Sequence, residues 1–203
     1  MGRSIESNRR IRAERHQAIL AASLDLFATR GLAATKVADI AAAAAISPGL
    51  VYHYFPSKGD IFVRLVDRAL SRLNEAAAEL EALAISPADK LRLALGGLLM
   101  NLEESEDAAR THLFMTQAAV SEATPEAARV VMTTRGRLPY DTIERIIRAG
   151  QEAGTVQTGD AGAMAQLFWS TIKGLALHRA VDGESYRSPE PAVLLRMFLI
   201  EGG

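Results

Sequence analysis

Apolar residues recur at intervals of three and four along almost the whole chain. That spacing puts them on one face of an α-helix, and alternation of period two never persists long enough to make a strand. Ile19, Leu20, Ser23, Leu24 and Phe27 share a face of a first helix over 9–29, and Gly31 follows where a left-handed cap is cheap. Thr35 is placed to cap a short second helix over 36–43, with Asp39 near its positive end and Val37 and Ile40 turned inward. Ser47 and Pro48 supply an N-cap and a first-position proline for a third short helix over 48–54. Ser57, with Asp60 three residues on, makes a capping box that uses aspartate for glutamate. It opens a long fourth helix over 58–83 that buries Ile61, Leu65, Val66, Ala69, Leu73 and Ala77.

Beyond Ser86-Pro87 the pattern predicts helices over 88–103, 106–121, 125–153 with a break near Pro139, 160–180 and 190–200. The fold class is therefore all-α, with about nine helices. An N-terminal three-helix domain over 9–57 is joined by the long fourth helix to a C-terminal helical domain over 58–203. No internal repeat and no low-complexity linker interrupts the chain.

Composition removes several kinds of chemistry. The chain has no cysteine, which excludes disulfides, thiolate metal sites and thiol nucleophiles. No stretch is apolar for 18 residues, so no membrane span is expected, and the charged start lacks the apolar segment of a secretory signal. The expected location is cytoplasmic. None of His16, His53, His112 and His178 has a second ligand at metal spacing, and there is no phosphate-binding glycine loop or Gly-x-Ser-x-Gly elbow. Neither an enzyme nor a cofactor is expected, and Glu103-Glu104 and Glu106-Asp107 read as a solvated face. The net charge of −1 hides an asymmetry. Residues 1–58 hold eight Lys/Arg and four Asp/Glu, so a basic first quarter sits on an acidic body and suits a polyanionic partner.

Two short helices joined by a tight turn describe a helix-turn-helix, in which the first helix braces on the phosphate backbone and the second enters the major groove. The matching set is Ile19, Ala22, Leu26-Phe27, Gly31, Thr35, Val37, Ile40-Ala41, Ala44-Ala45-Ile46-Ser47, Gly49, Val51-Tyr52, Tyr54-Phe55, Ser57-Lys58 and Ile61. At this spacing residues 15–61 resemble the DNA-binding domain of the tetracycline-repressor (TetR) family. The resemblance implies three N-terminal helices, a linking fourth, a helical ligand-binding and dimerisation body, and a homodimer that represses transcription from a palindromic operator until a small molecule releases it. One departure is Ala45 at a turn position often held by glycine, where a positive φ costs roughly 1 kcal/mol.

The residues expected at double-stranded DNA are Thr35, Lys36, Ser47, Pro48, Gly49, Leu50, Tyr52, His53, Tyr54 and Lys58. Thr35 is first a helix cap. Tyr52 suits a phosphate or a thymine methyl, and Lys58 suits a phosphate. Pro48, Gly49 and Leu50 offer close approach and apolar contact but few hydrogen bonds, so direct base readout is sparse. Arg9, Arg10, Arg12 and Arg15 read equally as a phosphate-contacting arm or as a solvated tail.

In the body, Leu99, Met100, His112, Met115, Gln117, Trp169 and Lys173 are the candidates for a small-molecule effector pocket. Methionine is adaptable and suits a loosely specified apolar site, with His112 or Gln117 as polar anchor. Phe168, Ile172, Leu175, Leu194, Met197 and Phe198 are the candidates for a homodimer interface, because the segment 190–200 is apolar almost all round and a surface helix is not. A second reading stays open: a helical small-molecule-binding protein whose N-terminal bundle does not bind DNA.

Overall fold

The computed structural model describes residues 2–200, with side chains from residue 7 onward. The helices in chain order are α1 (Gly2–Ala34), α2 (Val37–Ala43), α3 (Pro48–Tyr54), α4 (Lys58–Ala82), α5 (Pro87–Glu104), α6 (Glu106–Val120), α7 (Glu126–Arg135), α8 (Leu138–Glu152), α9 (Ala161–Asp182) and the five-residue α10 (Pro191–Leu195). No strand forms among the described residues. The fold is all-α, as the hydrophobic period requires.

Side-chain caps set several of the starts. Ser47 Oγ accepts the Leu50 N–H at 3.3 Å, Ser57 Oγ the Asp60 N–H at 3.1 Å, and Ser86 Oγ the Asp89 N–H at 3.1 Å. Each satisfies one of the N–H groups that a helix leaves unpaired at its start. Gly31, at φ 76° and ψ 166°, ends the straight part of α1.

Two compact units result. The first comprises residues 1–68 and 114–131, the second 69–113 and 132–203. Inside the first, Ile19, Leu20, Phe27, Ile40, Val51 and Ile61 are buried. Phe62 lies against Phe27 at 5.5 Å and Phe114 at 4.8 Å between ring centroids. The core of the second is built from Leu91, Leu95 and Leu99 of α5, Ile143 and Ile147 of α8, and Phe168 and Ile172 of α9.

The segment over 125–153 breaks near Pro139 as its sequence predicts: it divides at Gly136-Arg137, and Pro139 sits in the first turn of α8 where its missing N–H is harmless. One element differs from expectation. The helix expected over 190–200 stops at Leu195. After it the chain turns and pairs antiparallel with residues 155–157: the Gln157 N–H reaches the Phe198 carbonyl at 2.7 Å, and the Ile200 N–H reaches Thr155 at 3.1 Å. Phe198 and Leu199 of the apolar run are buried within their own unit, while Val193, Met197 and Ile200 are exposed.

Candidate nucleic-acid interface

The turn between α2 and α3 is held by backbone bonds. The Ile46 N–H donates to Ala41 O at 2.9 Å and the Ala45 N–H to Ala42 O at 3.1 Å, the two bonds of a Schellman cap. That cap needs a left-handed residue, and Ala45 supplies it at φ 54°. Among the described residues Ala45 is the one non-glycine with positive φ.

The turn aims α3 so that Val51 is buried while Ser47, Pro48, Gly49, Tyr52 and His53 face solvent together. Tyr52 is 55% exposed. Leu50 is half-buried. A methyl group at Gly49 would meet nothing within 4 Å, so nothing inside the unit requires glycine there. Tyr54 is half-buried, edge-on to His53 at 5.5 Å and to His16 of α1 at 6.4 Å, and Phe55 stacks on His16 at 4.9 Å.

The basic segment is helical, since it forms the first turns of α1. Arg9, Arg12, His16 and Gln17 line one side of an open cleft of about 510 Å³, and Tyr54 lines the other. Arg10 pairs with Glu14 at 3.5 Å on the surface. Burial pushes the His16 pKa down, and the charges of Arg64, Arg68 and Arg12 push it further the same way.

Two residues expected at DNA have internal work. Thr35 is fully buried, and its hydroxyl donates to Gly31 O at 2.8 Å, closing the end of α1. The N-cap of α2 is Lys36 instead, whose N–H donates to the Asp39 carboxylate at 3.0 Å. Lys58 Nζ donates to the carbonyls of Leu32 at 2.7 Å, Thr35 at 2.8 Å and Ala33 at 3.3 Å. Three acceptors use all three ammonium hydrogens. The side chains of Thr35 and Lys58 therefore tie the end of α1 to the start of α4, while Lys36 is exposed.

The second unit holds an apolar cleft of about 460 Å³. Its walls come from α4 (Leu73, Ala77, Leu80), α5 (Ala94, Gly97, Leu98, Asn101), α8 (Thr142, Ile143) and α9 (Phe168, Trp169). The effector candidates are dispersed about it. Trp169 lines the cleft, its Nε1 donating to Pro139 O at 3.3 Å. Leu99 is buried in the core beside it and Met100 is 58% exposed. Lys173 is exposed, its ammonium 5.4 Å from the Tyr140 ring centre. His112 is half-buried, and burial followed by the charge of Lys173 lowers its pKa. Met115 and Gln117 belong to the first unit, where Gln117 Nε2 donates to Ala28 O at 2.8 Å. The lining residues that periodicity missed, such as Gly97 and Asn101, had one signal: a glycine pair at 96–97 inside an apolar helix.

The interface candidates divide as well. Phe168, Ile172 and Phe198 are buried in the core of their own unit, Leu175 and Leu194 are half-buried, and Met197 is 43% exposed. The outward face of α9 is a different stripe: Leu167, Ser170, Gly174, Leu177 and Val181, all exposed. No helix among the described residues is long and apolar enough to cross a membrane.

Two short helices around a Schellman turn, with an exposed second helix locked from behind, define a helix-turn-helix protein. Residues 19–65 match the family described as "Bacterial regulatory proteins, tetR family". The HTH-type transcriptional regulator AcrR of Shigella flexneri is 34% identical over 102 residues, which are 50% of this chain and 46% of AcrR. The match thus spans about half the length of that relative. The structure of the MbdR regulator from Azoarcus sp. CIB superposes with a TM-score of 0.75 at 19% identity, covering 90% of this chain and 95% of that one. AibR, solved in complex with isovaleryl coenzyme A and operator DNA, gives 0.69 at 16% identity, covering 90% and 97%. At these identities the structures speak for the fold of both units.

Proposed function

We propose that this chain is a cytoplasmic, DNA-binding transcriptional repressor that sits on a palindromic operator as a homodimer and leaves it when a small molecule occupies the second unit. The observation that carries the reading is the outward face of α3. Ser47, Pro48, Gly49, Tyr52 and His53 face solvent together, on a helix whose other side is fixed by Val51 and Phe55. The N-terminal, positive end of the α3 dipole lies at the same exposed Ser47, Pro48 and Gly49, which favours phosphate. Lys36, Arg9 and Arg12 add positive charge within the first unit, and Thr35 and Lys58 serve by fixing the end of α1 against the start of α4.

The operator-bound neighbour AibR supports carrying DNA binding to this chain, and its bound acyl-coenzyme A supports a small-molecule input. In a dimer the two copies of α3 would lie about one DNA turn apart, roughly 34 Å. A ligand that binds the DNA-competent and DNA-incompetent states unequally shifts the balance between them by that difference in affinity.

Gel-shift titration with the DNA upstream of the chain's own gene tests the reading. Sequence-preferring binding that weakens steeply with added salt is the expected result. No binding even at low salt would leave a helical small-molecule-binding protein.

A further inference from the structure

We infer that the cleft of the second unit takes an uncharged, mainly apolar molecule with one hydrogen-bonding head group, which Asn101 holds. The inference rests on reading this unit as the ligand-binding body and adds the chemistry of the ligand. At about 460 Å³ the cleft is within the usual range for a small-molecule site.

Its polar groups decide the class. The Trp169 N–H and the Pro139 carbonyl are bonded to each other. The Thr142 hydroxyl receives the Arg145 guanidinium at 3.0 Å. Arg145 is itself committed to Glu81 through two bonds of 2.6 and 2.8 Å, so its charge is neutralised and its donors are directed away from a ligand. Two polar side chains remain in the lining, both exposed at its mouth: the Asn101 carboxamide, which has no partner among the described residues, and the Glu79 carboxylate. No Lys, Arg or His lines the cleft. A buried anion there would be unpaired, which is strongly unfavourable, and Glu79 would repel it. A hydroxyl, phenol or amide can both donate to and accept from Asn101. Carboxylates, phosphates and acyl-coenzyme A esters are therefore the wrong class for this cleft.

Gly97 shapes the same space. It lies inside α5, where glycine is a poor helix former, and a Cβ built there meets nothing within 4 Å. The absent side chain leaves room for the ligand.

Trp169 lines the cleft and is the only tryptophan in the chain, so its fluorescence reports occupancy directly. The full-length protein, without DNA, is titrated at pH 7.5 with 1-octanol and with octanoate, which share a chain length and differ in charge. Octanol is expected to give a saturable change in Trp169 emission, with octanoate at least tenfold weaker. Gly97→Leu should keep its helical circular dichroism and lose the octanol response at least tenfold. Asn101→Ala should weaken octanol about three- to tenfold, the effect of one neutral hydrogen bond. Octanoate binding as tightly as octanol, no saturable octanol signal, or an undiminished response in folded Gly97→Leu would each overturn the assignment. If Gly97→Leu does not fold, Asn101→Ala decides, and an unchanged octanol affinity in it overturns the assignment. Because no DNA is present, an octanol response without operator binding upholds this inference and removes the proposed function. Operator binding without an octanol response does the reverse.

Discussion

Lys58, the first residue of α4, donates through its ammonium to the carbonyl of Thr35 at 2.8 Å, and to those of Leu32 and Ala33 beside it. A cation is thereby placed on the carbonyl-rich end of α1, where the helix dipole favours it. Lys58→Met should destabilise the protein by about 1–2 kcal/mol, because two half-buried carbonyls and one exposed one lose a charged donor. Urea unfolding measures this. Operator affinity should fall as the helix-turn-helix loosens, but the slope of log affinity against log salt should not change. A drop in that slope of about one would mean that Lys58 contacts a phosphate directly.

Ala45→Gly should stabilise the protein. Ala45 holds a φ of 54° in the Schellman turn, a conformation that costs an L-residue roughly 1–2 kcal/mol and a glycine almost nothing. Glycine also gives the unfolded chain more freedom, which offsets part of the gain. The net expectation is an increase of about 0.5–1 kcal/mol, read as a higher urea midpoint with the same slope. A lower midpoint would show that the turn does not depend on Ala45 in this way.

Gly49→Ala separates fold from binding. A methyl group there has open space on every side, and alanine is the better helix former, so stability should be unchanged or rise by up to about 1 kcal/mol. Operator affinity should nevertheless fall, since the one thing the missing side chain permits is a close approach from outside. Full operator affinity in a folded Gly49→Ala protein would move the contact surface away from the start of α3.

The sequence was most legible where one residue type has one physical use. Ser47, Ser57 and Ser86 mark helix starts because a short hydroxyl side chain reaches an unpaired N–H, and the structure puts all three at those starts. The helix expected over 190–200 stops at Leu195, and periodicity does not reveal that the backbone after it pairs with residues 155–157. Likewise α9 is apolar on two faces, and periodicity does not say that Phe168 and Ile172 point inward while Leu167 and Leu177 point out. His112 and Gln117 sit five positions apart on α6, yet the two halves of that helix join different units. Spacing along one helix does not carry that information.

Stability should decline as the pH falls below about 6.5, the ordinary histidine value. His16 is held below it by burial and by Arg64, Arg68 and Arg12, and His112 by burial and Lys173. Below that value the unfolded chain therefore binds protons that the folded one resists. The stabilisation is fully present above pH 6.5 and is lost as the pH drops towards the folded values. Urea midpoints at pH 7.5, 6.5 and 5.5 should fall in that order, and His16→Gln and His112→Gln should each flatten the decline. A pH dependence unchanged in both variants would place its origin in other groups.

The proposed homodimer can be tested without unfolding the protein, because the apolar positions of α9 divide cleanly. Leu167, Leu177 and Val181 are 43%, 55% and 76% exposed, and with Ser170 and Gly174 they recur at the three- and four-residue steps of one helix face. A stripe with small residues at its centre admits a close approach of a second copy of α9. Leu177→Glu should therefore be monomeric by size-exclusion chromatography with light scattering, with unaltered helical circular dichroism, and should lose most of its affinity for a two-half-site operator. Ile172→Glu, five residues away but fully buried, should instead unfold the second unit, because it puts an unpaired charge into the core. A dimer that survives Leu177→Glu would place the interface elsewhere, and Met197 and Val193, 43% and 57% exposed, would be the next positions to substitute.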